Sequence, residues 1–325
     1  MGRGTTIIEA ALLRRNVIGN DVNPLSIILT SPRLDIPDIN KVKQRLDTIK
    51  LSRSVSADID LSMFFHKKTE SELVSLQRYL SRRKKEKTED SIDRWIRMVA
   101  TNRLTGHSKG FFSVYTLPPN QAAQPENQRR INKLRNQKPE YRDIKTLILK
   151  KSRNLLNRLS ESEIQNLNAV KRRARYLTCD AGTTPRIGND SVQLTVTSPP
   201  FLNVVQYSSD NWLRLWFNDI DDKKIAKRIT MSKTIEDWCG VMRGAFTELF
   251  RVTRSRGYVA FEVGEVQGGK LNLEDAVLPL GREAGFSCES ILINMQQFTK
   301  TANIWGINNN VVGTNTNRIV LFRKS

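Results

Sequence analysis

Two hydrophobic patterns alternate along this chain. Short apolar runs rich in β-branched residues predict strands at Val17–Asp21, Tyr176–Cys179, Val192–Val196, Gly257–Gly264, Cys288–Asn294 and Arg318–Phe322. Apolar residues at helical spacing predict helices at Thr5–Arg14, Lys41–Lys50, Glu70–Arg83, Ser91–Ala100 and Asp143–Leu159, and a long helix that opens at Thr234 with a Thr-x-x-Asp capping pattern. Strands and helices in this order predict an α/β fold.

The predicted strands lie in the two outer parts of the chain, and the middle is helical. We therefore expect residues 1–36 and 176–325 to form one sheet-containing domain, with 37–175 as a helical insert. The insert is densely basic and includes Arg129, Arg130, Lys150, Lys151 and Arg153. As a group these side chains predict a surface that faces nucleic-acid phosphates, although any one of them fits a solvated helix face equally well.

The composition also indicates a polyanionic partner. The 325 residues include 53 Lys and Arg against 33 Asp and Glu, which gives a net charge of +20. Nucleic acid is the first candidate for such an excess, and no apolar run is long enough to predict a membrane span. The spacing of Cys179, Cys239 and Cys288 suits neither a zinc site nor a disulfide framework. We therefore expect reduced cysteines, no metal and a cytoplasmic protein.

The most informative segment for function follows the predicted strand Val192–Val196. It reads Thr197-Ser198-Pro199-Pro200-Phe201. Two prolines fix φ and remove two N–H donors, so the loop is stiff and offers carbonyls, a hydroxyl and an aromatic ring. These groups suit the binding of a planar base that carries an amino group. Ser-Pro-Pro alone is commonly an ordinary turn, so this hypothesis needs a second motif.

That second motif lies at the start of the chain. Met1-Gly2-Arg3-Gly4-Thr5-Thr6 precedes a predicted helix, and its two glycines let the backbone approach a ligand closely. The strand Val17–Asp21 then ends in a carboxylate, at the place where an open α/β sheet binds the hydroxyls of a ribose. The third glycine of the dinucleotide-binding fingerprint is missing, so a dinucleotide is not predicted.

Together these segments resemble the amino-group DNA methyltransferases that use S-adenosylmethionine and carry a Ser-Pro-Pro-Tyr/Phe motif. The resemblance implies a Rossmann-like methyltransferase sheet, duplex DNA with a flipped-out base as substrate, and a cognate restriction endonuclease as a candidate partner. It implies catalytic roles for Ser198, Pro199, Pro200 and Phe201. It implies cofactor-binding roles for Gly2, Gly4, Thr5, Thr6, Asp21, Asn23 and Asp180. The helical insert becomes the expected target-recognition region.

The same resemblance bears on the target base and on the extent of the chain. Serine before Pro-Pro favours N4 of cytosine, while an adenine-N6 enzyme, an RNA N-methyltransferase and a non-catalytic DNA-binding remnant stay as alternatives. The family has a strand that ends in Asp-Pro-Phe before the position of Gly2, and this sequence has none. We therefore expect a chain truncated at its N-terminus, with the first strand of the sheet missing.

Overall fold

The chain divides into two compact units. A computed structural model describes residues 1–52, 54–116, 122–200, 207–229, 232, 234–266, 271–295 and 316–325. The first unit comprises Met1–Thr178 and Tyr207–Ala226, and the second comprises Cys179–Gln206 and Lys227–Ser325. In this division residues 1–36 group with the helical middle of the chain, and the predicted domains, 1–36 with 176–325 and 37–175, stay a prediction. The target-recognition role of 37–175 stays a prediction.

The elements confirm the predicted α/β class. The helices are α1 (Thr5–Leu12), α2 (Leu25–Thr30), α3 (Ile39–Thr48), α4 (Lys67–Lys85), α5 (Ser91–Thr101), α6 (Pro125–Leu134), α7 (Ile144–Leu156), α8 (Glu161–Lys171), α9 (Tyr207–Phe217), α10 (Asp222–Ala226), α11 (Ile235–Val252) and α12 (Leu273–Glu283). The strands are β1 (Ile18–Asn20), β2 (Arg175–Leu177), β3 (Val192–Thr197), β4 (Thr253–Val266), β5 (Leu271–Asn272), β6 (Ser287–Met295) and β7 (Thr316–Arg323). Every predicted strand and helix is present, with ends shifted by a few residues.

The first unit is mainly helical. Its strands β1 and β2 pair in parallel, and α1 packs near α8, where Ile7 and Leu167 belong to one buried cluster. The larger core lies among α3, α4, α5, α7 and α9. Within α5, Ile92, Trp95 and Val99 recur at helical spacing and all lie in that core. The amphipathic stripe of each helix therefore explains why the middle of the chain folds as a bundle.

The second unit is an open mixed sheet with the strand order β3-β4-β7-β6. Strands β3 and β4 are parallel, and β7 is antiparallel to both β4 and β6. The ring of Phe246 on α11 lies 4.7 Å from that of Phe261 on β4 and 5.4 Å from that of Phe322 on β7. Helix α11 begins as predicted, because the Thr234 hydroxyl accepts a hydrogen bond from the Asp237 amide at 3.1 Å.

Strand β3 has one pairing partner, β4, among the described residues. Its side chains Leu194 and Val196 are 55% and 45% exposed, although both are apolar. The predicted loss of a strand before Gly2 stays a prediction. No helix in the described ranges has both the length and the apolar character needed to cross a bilayer.

Candidate functional site

Glycine is required at the turn that opens α1. Gly2 and Gly4 have φ angles of 55° and 88°, in the left-handed region. A Cβ on Gly4 would overlap the side chain of Thr30, so both the space and the positive φ require glycine there. Thr5 and Thr6 follow as the first residues of α1 and are exposed. The turn thus presents two hydroxyls at a helix N-terminus, where backbone N–H groups favour a polar or anionic ligand.

Asp21 closes this turn from the carboxyl end of β1. Its Oδ2 accepts a hydrogen bond from the Gly2 amide at 2.8 Å, and its Oδ1 accepts from the Asn23 amide at 3.0 Å. The Asp21 amide donates to the Leu177 carbonyl at the end of β2, at 3.2 Å. The side chain is 17% exposed, and its Oδ2 also lies 3.4 Å from the Met1 ammonium, whereas Oδ1 keeps a second lone pair. Asp21 can therefore shape the turn and still accept a hydroxyl group from a ligand.

Asn23, also predicted to bind the cofactor, has a structural position. The residue is 1% exposed, and its Oδ1 accepts from the Leu25 amide at 2.9 Å. Its carbonyl accepts from the Ser26 hydroxyl at 2.7 Å, so both groups fix the start of α2. The Nδ2 atom is buried without a hydrogen-bond partner among the described residues. A direct contact between Asn23 and a cofactor stays a prediction.

The Ser-Pro-Pro loop of the second unit follows β3 directly. Ser198 and Pro200 are exposed, and Pro199 is half-buried. The Pro200 carbonyl accepts a hydrogen bond from the indole N–H of Trp238 at 3.0 Å. Trp238 is 2% exposed on α11, so the buried helix anchors the exposed loop. The sequence predicts Trp238 as a core residue and does not reveal this second role; Phe201 lies outside the described residues.

The segment around Asp180 is also tied to α11. The Asp180 Oδ1 accepts from the Gly182 amide at 2.7 Å, in an exposed turn. A few residues later the Thr184 amide donates to Glu248 Oε1 at 2.6 Å, and Arg251 donates to the same carboxylate at 2.6 Å. The hydrogen bond from Arg251 lowers the pKa of Glu248 to about 2. An ionised Glu248 therefore holds the segment that leads into β3.

The predicted site residues fall into two groups. The first unit brings together Gly2, Gly4, Thr5, Thr6 and Asp21 at the carboxyl end of β1. The second unit contains Asp180 and the Ser198–Pro200 loop. Within the described ranges, no group of three or more His, Cys, Asp or Glu side chains is placed to hold a metal ion.

The predicted phosphate-facing side chains differ in their surroundings. Arg129 is exposed and donates to Asp60 at 2.7 Å, so part of its hydrogen-bonding capacity is used within the protein. Burial lowers the pKa of Lys151, and the guanidinium of Arg103 lowers it further. The remaining predicted cations are exposed: Arg130, Lys150 and Arg153. The group is therefore a mixture of paired, crowded and exposed cations, and its DNA-binding role stays a prediction.

Comparisons with known proteins give weak similarities. No protein-family profile and no curated protein matches the chain. A solved structure from Thermus thermophilus, provisionally named a DNA modification methylase and complexed with S-adenosyl-L-methionine, is 18% identical over 42% of this chain and 47% of its own, with a TM-score of 0.27. A SAM-dependent methyltransferase from Methanosarcina mazei is 11% identical over 46% of this chain and 67% of its own, with a TM-score of 0.27.

A third solved structure is similar over most of the chain. It is provisionally named a sarcosine dimethylglycine methyltransferase, from Galdieria sulphuraria, and is 10% identical over 89% of this chain and 99% of its own, with a TM-score of 0.28. This chain matches about half the length of the Thermus protein. At such TM-scores and identities, the likeness establishes no activity for this chain.

Proposed function

We propose that this chain is an S-adenosylmethionine-dependent DNA methyltransferase that methylates the exocyclic N4 of cytosine. The observation that carries the proposal is the exposed Ser198 at the carboxyl end of the parallel strand β3, in a loop anchored by Trp238. Ligands of open α/β sheets bind at the carboxyl ends of their strands. The net charge of +20 supports a nucleic-acid substrate.

The glycine turn of the first unit fits the nucleoside part of this cofactor. When bound, S-adenosylmethionine supplies a methyl carbon made electrophilic by a sulfonium. Gly4 keeps the backbone free of side chains at the turn, and Asp21 Oδ1 retains a lone pair that can accept a ribose hydroxyl. The exposed hydroxyls of Thr5 and Thr6 would lie beside the same ligand. A contact between Asp180 and the adenine is part of the proposal and rests on the sequence motif.

Ser198 and Pro199 would act on the attacking nitrogen. The exocyclic amino group of cytosine is a poor nucleophile, because its lone pair is delocalised into the ring. Hydrogen bonds from this group to Ser198 Oγ and the Pro199 carbonyl would favour a tetrahedral nitrogen and concentrate its lone pair. Methyl transfer would form the N–C bond as the C–S bond of the sulfonium breaks, with S-adenosylhomocysteine as the leaving group and the proton of the nitrogen passing to solvent. Phe201 would stack on the flipped-out base.

Mass spectrometry of nucleosides tests the proposal. The protein is incubated with duplex DNA, or with RNA, and a cofactor labelled in its methyl group. Labelled N4-methylcytosine from DNA is the expected product, whereas N6-methyladenine or a methylated RNA nucleoside would contradict the proposed target. Ser198→Ala should abolish the product, and Ser255→Ala, at another exposed serine of the second unit, should not. No product from the wild-type protein would count against the proposed activity.

A further inference from the structure

A cleft of about 650 Å³ lies along α4 in the first unit. The helix contributes Arg78, Arg82 and Lys85 to the lining, and Glu86 follows at its C-terminal cap. The lining also includes Asp58, and Trp216 and Asp219 near the end of α9. The volume is in the range of pockets that hold small ligands or parts of larger ones.

Three cations form a row on α4. Arg78, Arg82 and Lys85 stand four and then three residues apart, so they share one face of the helix. The helical rise places the second and third cations about 6 Å and about 10 Å along the axis from the first. All three are exposed, and none forms an ion pair with a described residue, whereas Arg83 pairs with the buried Asp93. The row suits an anion that extends along the helix, such as a phosphodiester chain.

Two carboxylates of the lining are held by neutral donors, and the donors to Asp219 belong to α4. Asp58 Oδ1 accepts from the Trp216 indole N–H at 3.0 Å. Asp219 Oδ1 accepts from the Gln77 side chain at 3.3 Å, and its Oδ2 accepts from the Ser81 hydroxyl. Both carboxylates keep unused lone pairs, because each oxygen can accept more than one hydrogen bond. The cleft is therefore lined by three exposed cations of α4 and by carboxylates, Glu86 among them, that offer hydrogen-bond acceptors.

We propose that this cleft binds single-stranded nucleic acid at a nucleotide whose base carries an amino group. The phosphates lie along Arg78, Arg82 and Lys85, and the base stacks on the partly exposed Trp216. The amino group donates to Asp58 or Asp219, as a carboxylate accepts from N4 of cytosine. A phosphate alone gives no reason for carboxylates in the cleft, and thymine has no amino donor. The inference goes beyond the proposed methyl transfer and shares with it only a nucleic-acid partner.

Fluorescence anisotropy with labelled twelve-nucleotide strands tests the base preference. Oligo-dC should bind about tenfold more tightly than oligo-dT at neutral pH and moderate salt. Comparison of oligo-rC with oligo-dC shows whether the cleft prefers RNA or DNA. Equal affinities for these two strands would extend the proposal to both kinds of nucleic acid. Equal affinity for oligo-dC and oligo-dT would overturn the proposed base recognition. Binding is measured without cofactor, so failure of the methyl-transfer proposal would not affect the result.

Adjacent lysines provide a matched test of the cation row. Lys85 lines the cleft, while Lys84 is exposed on the same helical turn and does not line it. Lys85→Gln should lower the slope of log affinity against log salt by about 0.7, and Arg78→Gln with Arg82→Gln by about 1.4. Lys84→Gln should leave the slope nearly unchanged. Equal slopes for the Lys84 and Lys85 variants would overturn the placement of the strand, and thermal unfolding checks that each variant is folded.

Discussion

Trp238 provides the sharpest test of the loop that carries Ser198. Its buried indole N–H donates to the Pro200 carbonyl at 3.0 Å, and Trp238→Phe removes this donor but keeps a ring in the core. Pro200 is exposed, so water can replace the donor, and the loss should be about 1–2 kcal/mol including the smaller ring. Trp238→Ala would create a cavity that costs about 3–5 kcal/mol, which makes it the poorer probe.

Trp238→Phe should lower the methyl-transfer rate by more than its loss of unfolding free energy would explain. Without its anchor the loop shifts, and a displacement of about 1 Å can lower a rate by about 100-fold. Single-turnover methylation and urea unfolding measure the two effects. The control is Trp95→Phe, which removes an indole hydrogen bond to Ser152 in the first unit at 3.0 Å. Equal rate losses in both variants, or an unchanged rate in Trp238→Phe, would refute the anchoring role.

Three further predictions concern stability. Gly4→Ala should lower the thermal midpoint and the cofactor affinity more than Gly2→Ala, because an added Cβ meets atoms within 4 Å only at Gly4. Hydrogen bonding to Arg251 lowers the pKa of Glu248 from 4.5 to about 2. Up to about 3 kcal/mol of folding stability is therefore present above pH 4.5 and is lost as the pH falls toward 2. Glu248→Gln should reduce this pH dependence of the unfolding free energy, measured by urea titration between pH 2 and pH 4.5. Asp93→Ala should cost about 3 kcal/mol in chemical unfolding, because a fully buried carboxylate holds two arginines.

Local sequence signals predict the strands and the strongly amphipathic helices. Helices α8 and α12 are not predicted from the sequence, and they show where such signals fail. Helix α8 buries few apolar side chains, so its hydrophobic pattern is weak. Its capping box is visible in the sequence, since Ser160 and Glu163 exchange hydrogen bonds at the first turn. Helix α12 contains Pro279, which normally ends a helix. Burial of Leu273 and Val277 against the sheet compensates for the lost backbone hydrogen bond, and that packing is a tertiary effect.

The same distinction between local and long-range interactions applies to the residues of the candidate site. The link between Gly2 and Asp21 is predictable, because a glycine turn and an acidic strand end form one short unit. The bond from Trp238 to Pro200 joins residues 38 positions apart. Helical spacing predicts that Trp238 is buried, but its partner is fixed only when α11 packs on the sheet.

The charged residues show most clearly what the sequence does not predict. The net charge follows from the composition, but a binding surface depends on where the fold places each charge. Arg129 belongs to the most basic part of the sequence, yet Asp60, 69 positions away, pairs with it. Arg78 and Arg82 lie on an ordinary amphipathic helix, and the fold leaves both without an ion pair among the described residues. Ion pairing of exposed side chains contributes little to stability, but it decides which cations are free to meet a phosphate. The unpaired cations of α4 are therefore a better-defined candidate for strand binding than the basic run that the sequence predicts.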